Sequence, residues 1–147
     1  MNQASQVTIT RQSGYQFLVD FAPGMPTLLA DEPPPLGVAQ GPSPSQMLMA
    51  AVANCLCASL TFALQKFKQD PGTVVATVTA DMGRNEGGRL RIQSFSVDIR
   101  LGAQGSDLAH LDRVLAQFEE FCTVSMSVRQ GIPIAVSVSD GAGARLK

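Results

Sequence analysis

The sequence predicts an α+β fold in which antiparallel strands pack around one long, buried helix. Apolar and polar residues alternate as in strands near both ends of the chain, and an Ala-rich apolar run at 47–64 separates the two strand regions. A hairpin pattern follows that run, which is typical of antiparallel pairing and not of an alternating βαβ fold. The length of 147 residues corresponds to one ordinary domain, so we predict a single domain over 1–147.

Two strands and a short extended piece are predicted in the N-terminal region. Val7, Ile9 and Arg11 alternate with two threonines, and apolar residues recur at every second position over 15–21, as they do in half-buried strands. Ser and Gly at 13–14 are typical of a turn between these strands. Pro and Gly residues then break the second strand before an extended piece at 27–30.

The segment 31–42 is rich in proline and cannot form a helix or a central strand, because proline lacks the amide donor that both need. Two interpretations are open. The segment is a linker, or it is a semi-rigid loop that carries Asp31 and Glu32 over a site.

The long helix is predicted to begin at Ser43, which is a good N-cap residue. Pro44 suits the first helical position, and Gln46 completes a capping box with Ser43. We expect the helix to end near Lys68, before a Pro-Gly turn. Because its residues are apolar on nearly every side, it should be central and buried, and its Ala-rich composition fits a core helix better than a membrane span.

A hairpin, a helix and a closing strand are predicted in the second half of the chain. The hairpin strands cover 74–82 and 90–101. The apolar residues of the second strand change face at 93–94, which predicts a β-bulge there. A helix follows from Ser106, and alternating apolar residues over 132–138 predict the closing strand.

Composition and charge exclude several classes of partner. Only 16% of the residues are charged while 45% are hydrophobic, which favours a surface partly hidden against a second copy of the chain. The net charge of −1 and the absence of a basic run argue against binding to nucleic acid or acidic lipid. The first ten residues lack the order of a signal peptide, so we expect a cytoplasmic protein.

The sequence gives little support for a metal site or for a Ser-His-Asp catalytic triad. His110 is the single histidine and falls within the predicted second helix, and the glycines at 83–88 belong to a hairpin turn and not to a phosphate loop. The spacing of Cys55 and Cys57 lacks the residues that separate zinc-binding cysteines, so no metal site is predicted.

The cysteines are the remaining reactive groups. Cys55 and Cys57 are two residues apart on the predicted long helix, so their side chains diverge and cannot form a disulfide with each other. Any bridge must join one of them to Cys122, which falls on the apolar stripe of the second helix. The residue pattern leaves open which of the two pairs, and whether the thiols are reactive or inert.

Two motifs resemble those of the OsmC/Ohr family of peroxide-reducing proteins. The run from Gly41 to Cys55 is similar to the family's central-helix motif, in which a cysteine lies eleven residues after a proline, here Pro44. Cys122-Thr-Val-Ser is similar to the family's Cys-Pro-x-Ser segment, and the order of elements agrees over nearly the whole chain. The proline-rich 31–41 stretch looks like the less characterised OsmC-like branch.

The resemblance implies a fold, a reaction and a partner. The fold is an interleaved homodimer with its sites at the subunit interface. The reaction is the reduction of organic hydroperoxides, with Cys55 as the peroxidatic thiol, Cys122 as the resolving thiol and an external dithiol as the reductant. No cofactor is implied, and Cys57 has no family role.

One family residue is replaced in this chain. The family's Glu after the proline falls at Ser45, and its partner Arg is best matched by Arg11. Asp31 or Glu32 is a candidate substitute for the carboxylate. This departure predicts weak activity, and it keeps two other hypotheses open: a non-catalytic dimer that binds a small apolar ligand in an interface pocket, and a structural dimer with inert thiols.

Overall fold

Five β-strands in two antiparallel sheets accompany one long helix and two short ones in the computed structural model, which describes residues 5–131 and 134–147. The predicted α+β class is confirmed. The larger packed part of the molecule is built from the long helix, the hairpin and the helices that follow it, and this part holds both hydrophobic core clusters.

The N-terminal sheet has the order β1-β2-β3. Its strands are β1 (Thr8–Ser13), β2 (Gln16–Asp20) and β3 (Leu28–Ala30), with Gly14 in the left-handed region at the β1–β2 turn. Every residue of β1 is exposed, while Val19 of β2 is buried. One face of this sheet therefore lacks a covering layer within the described chain.

The proline-rich segment is an ordered loop and not a flexible linker. Its organising residue is Asp31, which is 1% exposed. The Asp31 carboxylate accepts hydrogen bonds from the amides of Glu32, Val38 and Gln40, at 2.8, 3.3 and 3.0 Å. The Gln40 amide is the strongest of the influences that lower the pKa of Asp31, which outweigh the opposing effect of its burial, so this carboxylate stays charged at the centre of the loop.

The long helix α1 (Pro44–Lys66) begins as predicted. The Gln46 amide donates to the Ser43 hydroxyl at 3.3 Å, and the Ser43 amide donates to the Gln46 side chain at 2.9 Å, which confirms the capping box. The helix ends two residues before the predicted Lys68, because Lys68 takes a left-handed conformation (φ 57°).

The helix α1 is buried on one face and not all round, contrary to the prediction. The buried face packs on the hairpin and the later helices; its members are Val52, Ala53, Leu56, Ser59, Leu60, Ala63 and Leu64. Leu48 and Phe62, along one edge of the buried face, are exposed. By length and composition alone α1 is able to cross a membrane, a test that core helices also pass, and 39% of its most apolar window is buried in the fold.

The second sheet is the long hairpin of β4 (Val74–Arg84) and β5 (Leu90–Leu101). Asp81 pairs with Ser94 and the next residue of β4 pairs with Ile92, so Gln93 is the extra residue of a bulge. The bulge predicted at 93–94 is confirmed.

The predicted second helix is broken into four short elements. These are a 3₁₀ turn (Gly105–Asp107), α2 (Leu111–Gln117), a second 3₁₀ turn (Phe118–Phe121) and α3 (Thr123–Arg129). His110 starts α2 in the left-handed region (φ 61°), and Cys122 is extended (φ −83°, ψ 96°), so neither residue continues a helix. Cys122 is therefore the N-cap of α3 and not part of a helical stripe.

The predicted closing strand is absent from the described residues. Residues 132 and 133 lie outside them, and 134–138 form no strand. Ile134 and Val136 are 85% and 58% exposed. A strand needs a neighbouring strand to take its backbone hydrogen bonds, and none of the described strands pairs with this segment.

Candidate active site

Cys55 and Cys122 meet in the second core cluster, where α1 packs against α3 and the preceding 3₁₀ turn. Cys122 is 0% exposed and Cys55 is partly exposed, and both are free thiols. Cys55 packs against the cluster that contains Cys122, and the two thiols are close enough to shift each other's pKa. The question that the residue pattern left open is therefore answered in favour of Cys55.

Apolar side chains surround the two thiols. Those in the same cluster are Val52, Leu56, Phe95, Val97, Ile99, Phe118, Val124 and Val128. They come from α1, β5, the second 3₁₀ turn and α3. The thiols thus lie at the junction of four elements, among mainly apolar side chains.

The two cysteines have opposite pKa shifts. Burial raises the pKa of the Cys55 thiol, and its proximity to Cys122 raises it further, against smaller opposing effects of the Val124 amide and the Ser59 hydroxyl. Burial also raises the pKa of Cys122, but contacts with Ser125, Cys55 and Ser59 outweigh this effect and lower it overall. When the pair loses one proton, the negative charge therefore lies mainly on the Cys122 sulfur.

Cys122 owes part of this acidity to its place at the start of α3. Its sulfur accepts a hydrogen bond from the Ser125 amide at 3.4 Å. The Ser125 hydroxyl lies close to the same sulfur, but it makes no contact of hydrogen-bond geometry with any of the described residues. We therefore assign the amide as the donor to the sulfur.

Cys57 takes no part in this cluster. It is partly buried on another side of α1, and burial raises the pKa of its thiol. Nothing in its surroundings stabilises a thiolate.

The structure does not gather the predicted activating residues at Cys55 within one chain. Arg11 is exposed on β1 and donates a hydrogen bond to the Gly14 carbonyl oxygen at 2.9 Å. The Asp31 carboxylate accepts its hydrogen bonds from amides of its own loop. Ser45 lies ten residues before Cys55 on α1, which is about 15 Å along a helix. Neither these three nor Glu32 is among the groups that shift the pKa of Cys55.

Two hydroxyl residues lie at the site; the sequence analysis missed Ser59 and quoted Ser125 only as part of the Cys122-Thr-Val-Ser segment, without a role. Ser59 is buried one helical turn after Cys55 and contacts both thiols, and Ser125 follows Cys122 by three residues. The helical spacing of Ser59 from Cys55 is a signal that was available in the sequence. For Ser125 the signal was the Cys122-Thr-Val-Ser segment, and the structure adds that its amide donates to the Cys122 sulfur at the N-cap of α3.

A cavity of about 530 Å³ borders the cluster around the thiols, although neither cysteine is among its lining residues. Val52, Leu56 and Phe95 form part of its wall and also belong to the thiol cluster, while Ser125 and Arg129 contribute polar groups. Within residues 5–131 and 134–147 no group of three metal-ligating side chains is found.

Comparison with solved structures shows the same fold in several proteins. An OsmC-like protein of unknown function from Vibrio cholerae superposes with a TM-score of 0.70, at 14% identity over 86% of this chain and 94% of its own. The organic hydroperoxide resistance protein OsmC from Legionella pneumophila gives 0.67, at 16% identity over 87% and 92%. OhrB, an organic hydroperoxide resistance protein of Bacillus subtilis, gives 0.63, at 16% identity over 88% and 93%.

The sequence itself carries a family match. No curated protein matches it, and the structural similarities lie at identities that show the fold alone. The family model described as OsmC-like protein matches residues 37–137, a range that contains both Cys55 and Cys122. The chain therefore belongs to the OsmC-like protein family.

Proposed function

We propose that this chain is a thiol-dependent reductase of organic hydroperoxides that uses the Cys55–Cys122 pair. The observation that carries the proposal is the contact between these two thiols in a buried apolar cluster, although they come from distant parts of the chain. Two structural neighbours that are named organic hydroperoxide resistance proteins support the same reaction class.

The reaction has three balanced steps. The Cys55 thiolate attacks the terminal peroxide oxygen, the O–O bond breaks, and the leaving alkoxide takes a proton to become the alcohol, which leaves a sulfenic acid on Cys55. The Cys122 thiolate then attacks that sulfur, a disulfide forms, and the hydroxide that leaves takes a proton to become water. An external dithiol reduces the disulfide and is itself oxidised.

Accessibility assigns the two roles. Cys55 is partly exposed and is the thiol that a peroxide meets, whereas Cys122 is completely buried. The pKa of Cys122 is lowered and that of Cys55 is raised, so Cys122 loses its proton more easily than Cys55 does. The proton that Cys55 gives up as it attacks passes to the leaving alkoxide, and the proton of Cys122 passes to the leaving hydroxide. Because burial raises the pKa of Cys55, turnover by one chain is expected to be slow unless a cation comes from elsewhere.

Peptide mapping tests the pairing. One equivalent of organic hydroperoxide added to the reduced protein is expected to produce a Cys55–Cys122 disulfide and to leave Cys57 reduced. The reason is that the first two thiols already touch, while Cys57 points away along another side of α1. Mass spectrometry of non-reduced digests measures the result, and a Cys55–Cys57 link in folded protein would contradict it.

We also infer that the protein is a homodimer in the cytoplasm, where reducing dithiols keep its thiols free. Leu48 and Phe62 expose an apolar face of α1, and Ile134 and Val136 expose an apolar tail. A second copy that covers both surfaces is expected to bury more than about 1,600 Å². In such a dimer Arg11 from the second copy is our candidate for the activating cation.

Sedimentation at nanomolar concentration tests the dimer. We expect twice the chain mass of 15.5 kDa. Ala58→Glu, which places a charge on the exposed face of α1, should shift the equilibrium toward monomer by a factor of at least about ten, because a charge is buried without a partner. Ala109→Glu is the control outside that face and should leave the dimer intact. A folded wild-type monomer at this dilution would end the proposal.

A further inference from the structure

One polar side chain interrupts the apolar buried face of α1. Ser59 is 6% exposed, and the other buried residues of that face are Val52, Ala53, Leu56, Leu60, Ala63 and Leu64. A hydroxyl in such a place loses its contact with water and lowers stability unless another group becomes its hydrogen-bond partner. The partners that the position of Ser59 offers are the two thiols.

Ser59 adjoins both sulfurs of the pair. It follows Cys55 by four residues on α1, so the two side chains lie on one face of the helix, about 6 Å apart along its axis. Cys122 packs on the same region of α1 from the N-cap of α3. Burial raises the pKa of each thiol, and Ser59 opposes this effect in both, whereas the Val124 amide acts on Cys55 alone and Ser125 on Cys122 alone. Ser59 is thus the hydroxyl residue that the two sulfurs share.

Charged side chains do not take over this role within the described part of the chain. The thiol cluster is supplied by α1, β5, the second 3₁₀ turn and α3. Every charged residue of these elements is exposed; they are Lys66, Arg91, Asp98, Arg100, Glu119, Glu120 and Arg129. None of them is among the groups that shift the pKa of either thiol, and Cys57 lies outside the cluster. A thiolate here is therefore stabilised by hydrogen bonds from neutral groups.

We propose that Ser59 is a positioning residue of the thiol pair, whose hydroxyl donates a hydrogen bond to the sulfur that carries the negative charge. The inference rests on the proposed function, because it assigns a role in the reaction of the same pair. The hydrogen bond keeps Cys122 available as a thiolate that attacks the sulfenic acid of Cys55.

The same hydrogen bond acts again when the disulfide is reduced. A thiolate of the external dithiol attacks the Cys55 sulfur, the bond between the two cysteines breaks, and Cys122 leaves as a thiolate. The second thiol of the reductant then attacks the mixed disulfide, closes its own disulfide and releases Cys55. A thiol of lower pKa is the better leaving group, so a donor beside the Cys122 sulfur speeds this exchange.

The pH dependence of alkylation tests this role without any turnover. In the full-length reduced protein with Cys57→Ser, mass spectrometry follows the modification of Cys55 by iodoacetamide at a series of pH values. Adding Ser59→Ala should move the profile to higher pH, because the thiolate loses a donor. At neutral pH modification should be about fivefold slower, as for one lost hydrogen bond, and at high pH the difference should vanish. Ser59→Thr keeps the hydroxyl and should restore the profile.

Stability and a matched control separate this role from packing. Ser59→Ala removes a buried hydroxyl and introduces a better helix former, so the free energy of unfolding should stay the same or rise. Thr61→Val removes a hydroxyl of the same helix, one that donates to the Cys57 carbonyl oxygen at 2.8 Å. Because Thr61 is not among the groups that act on either thiol, its replacement should leave the alkylation profile unchanged. An unchanged profile in Ser59→Ala, with or without a loss of stability, overturns the inference.

Single-turnover kinetics tests the link to the reaction. After one equivalent of cumene hydroperoxide, Ser59→Ala should form the Cys55–Cys122 disulfide about fivefold more slowly than wild type at neutral pH. Acid quenching and mapping of non-reduced peptides measure the rate, and formation at the wild-type rate would also overturn the inference. A wild-type protein that forms no disulfide would instead overturn the proposed function, while a displaced alkylation profile in Ser59→Ala would still support the hydrogen bond from Ser59.

Discussion

Replacing Cys55 by serine is expected to lower hydroperoxide turnover by a factor of about 1,000 or more, because the variant has no thiolate to attack the peroxide. Cys122→Ser should behave differently. It should still consume one equivalent of peroxide and then stop, because the sulfenic acid on Cys55 has no resolving thiol. Stopped-flow peroxide consumption and a sulfenic-acid trap followed by mass spectrometry measure the two outcomes.

Cys57→Ser is the matched control for both variants. Cys57 lies on α1 two residues from Cys55 but outside the thiol cluster, so its replacement should leave turnover unchanged. The lowered pKa of Cys122 makes one contrary outcome informative. The contrary outcome is that Cys122→Ser no longer reduces the first equivalent of peroxide while Cys55→Ser still does. Cys122 would then be the peroxidatic thiol and Cys55 the resolving thiol, and the acidity of the thiol rather than its accessibility would decide the roles.

Leu64→Ala is expected to lower the free energy of unfolding by about 3–5 kcal/mol, since it removes a completely buried side chain and leaves a cavity. Leu64 is 0% exposed and packs with Leu60, Leu108 and Val114, which join α1 to the region around α2. Denaturant unfolding at one fixed protein concentration measures the change, because dimerisation would make stability depend on concentration.

Leu90→Ala makes the same chemical change at a residue that is 55% exposed at the start of β5. It should cost less than about 1 kcal/mol, since the side chain is already in water. Similar losses for the two variants would show that the core cluster around Leu64 does not hold the fold together.

The difference between predicted and observed elements follows from the range of the interactions that form them. The start of α1 depends on Ser43 and Gln46, which are three residues apart, and the bulge at Gln93 depends on a local change of apolar phase. Both were predicted correctly because the responsible contacts are local. The prediction of one continuous helix from Ser106 was wrong. Its apolar residues keep a helical spacing through 118–121, but the backbone there tightens into a 3₁₀ turn, which the spacing alone does not reveal.

The closing strand failed for a different reason. The alternation over 134–138 is a real strand pattern, but backbone pairing is a relation between two segments and not a property of one. Ile134 and Val136 are exposed and pair with none of the described strands, and at the end of the pattern Val138 exchanges backbone hydrogen bonds only with Leu146 and Lys147. The exposed face of α1 is a similar case, because its apolar composition predicts a covering surface that the described chain does not supply.

The sequence by itself determined the α+β class, the extent of the long helix, the bulge and the two cysteine motifs, because each depends on residue types at short, regular spacings. Only the tertiary structure decided that Cys55 rather than Cys57 lies next to Cys122, and that Ser59 and Ser125 adjoin the thiols. The same holds for the pKa shifts, which are upward for Cys55 and downward for Cys122. These properties depend on how α1 packs against α3. A pKa and a cavity arise from groups that are distant in the chain and close in space, which local spacing does not encode.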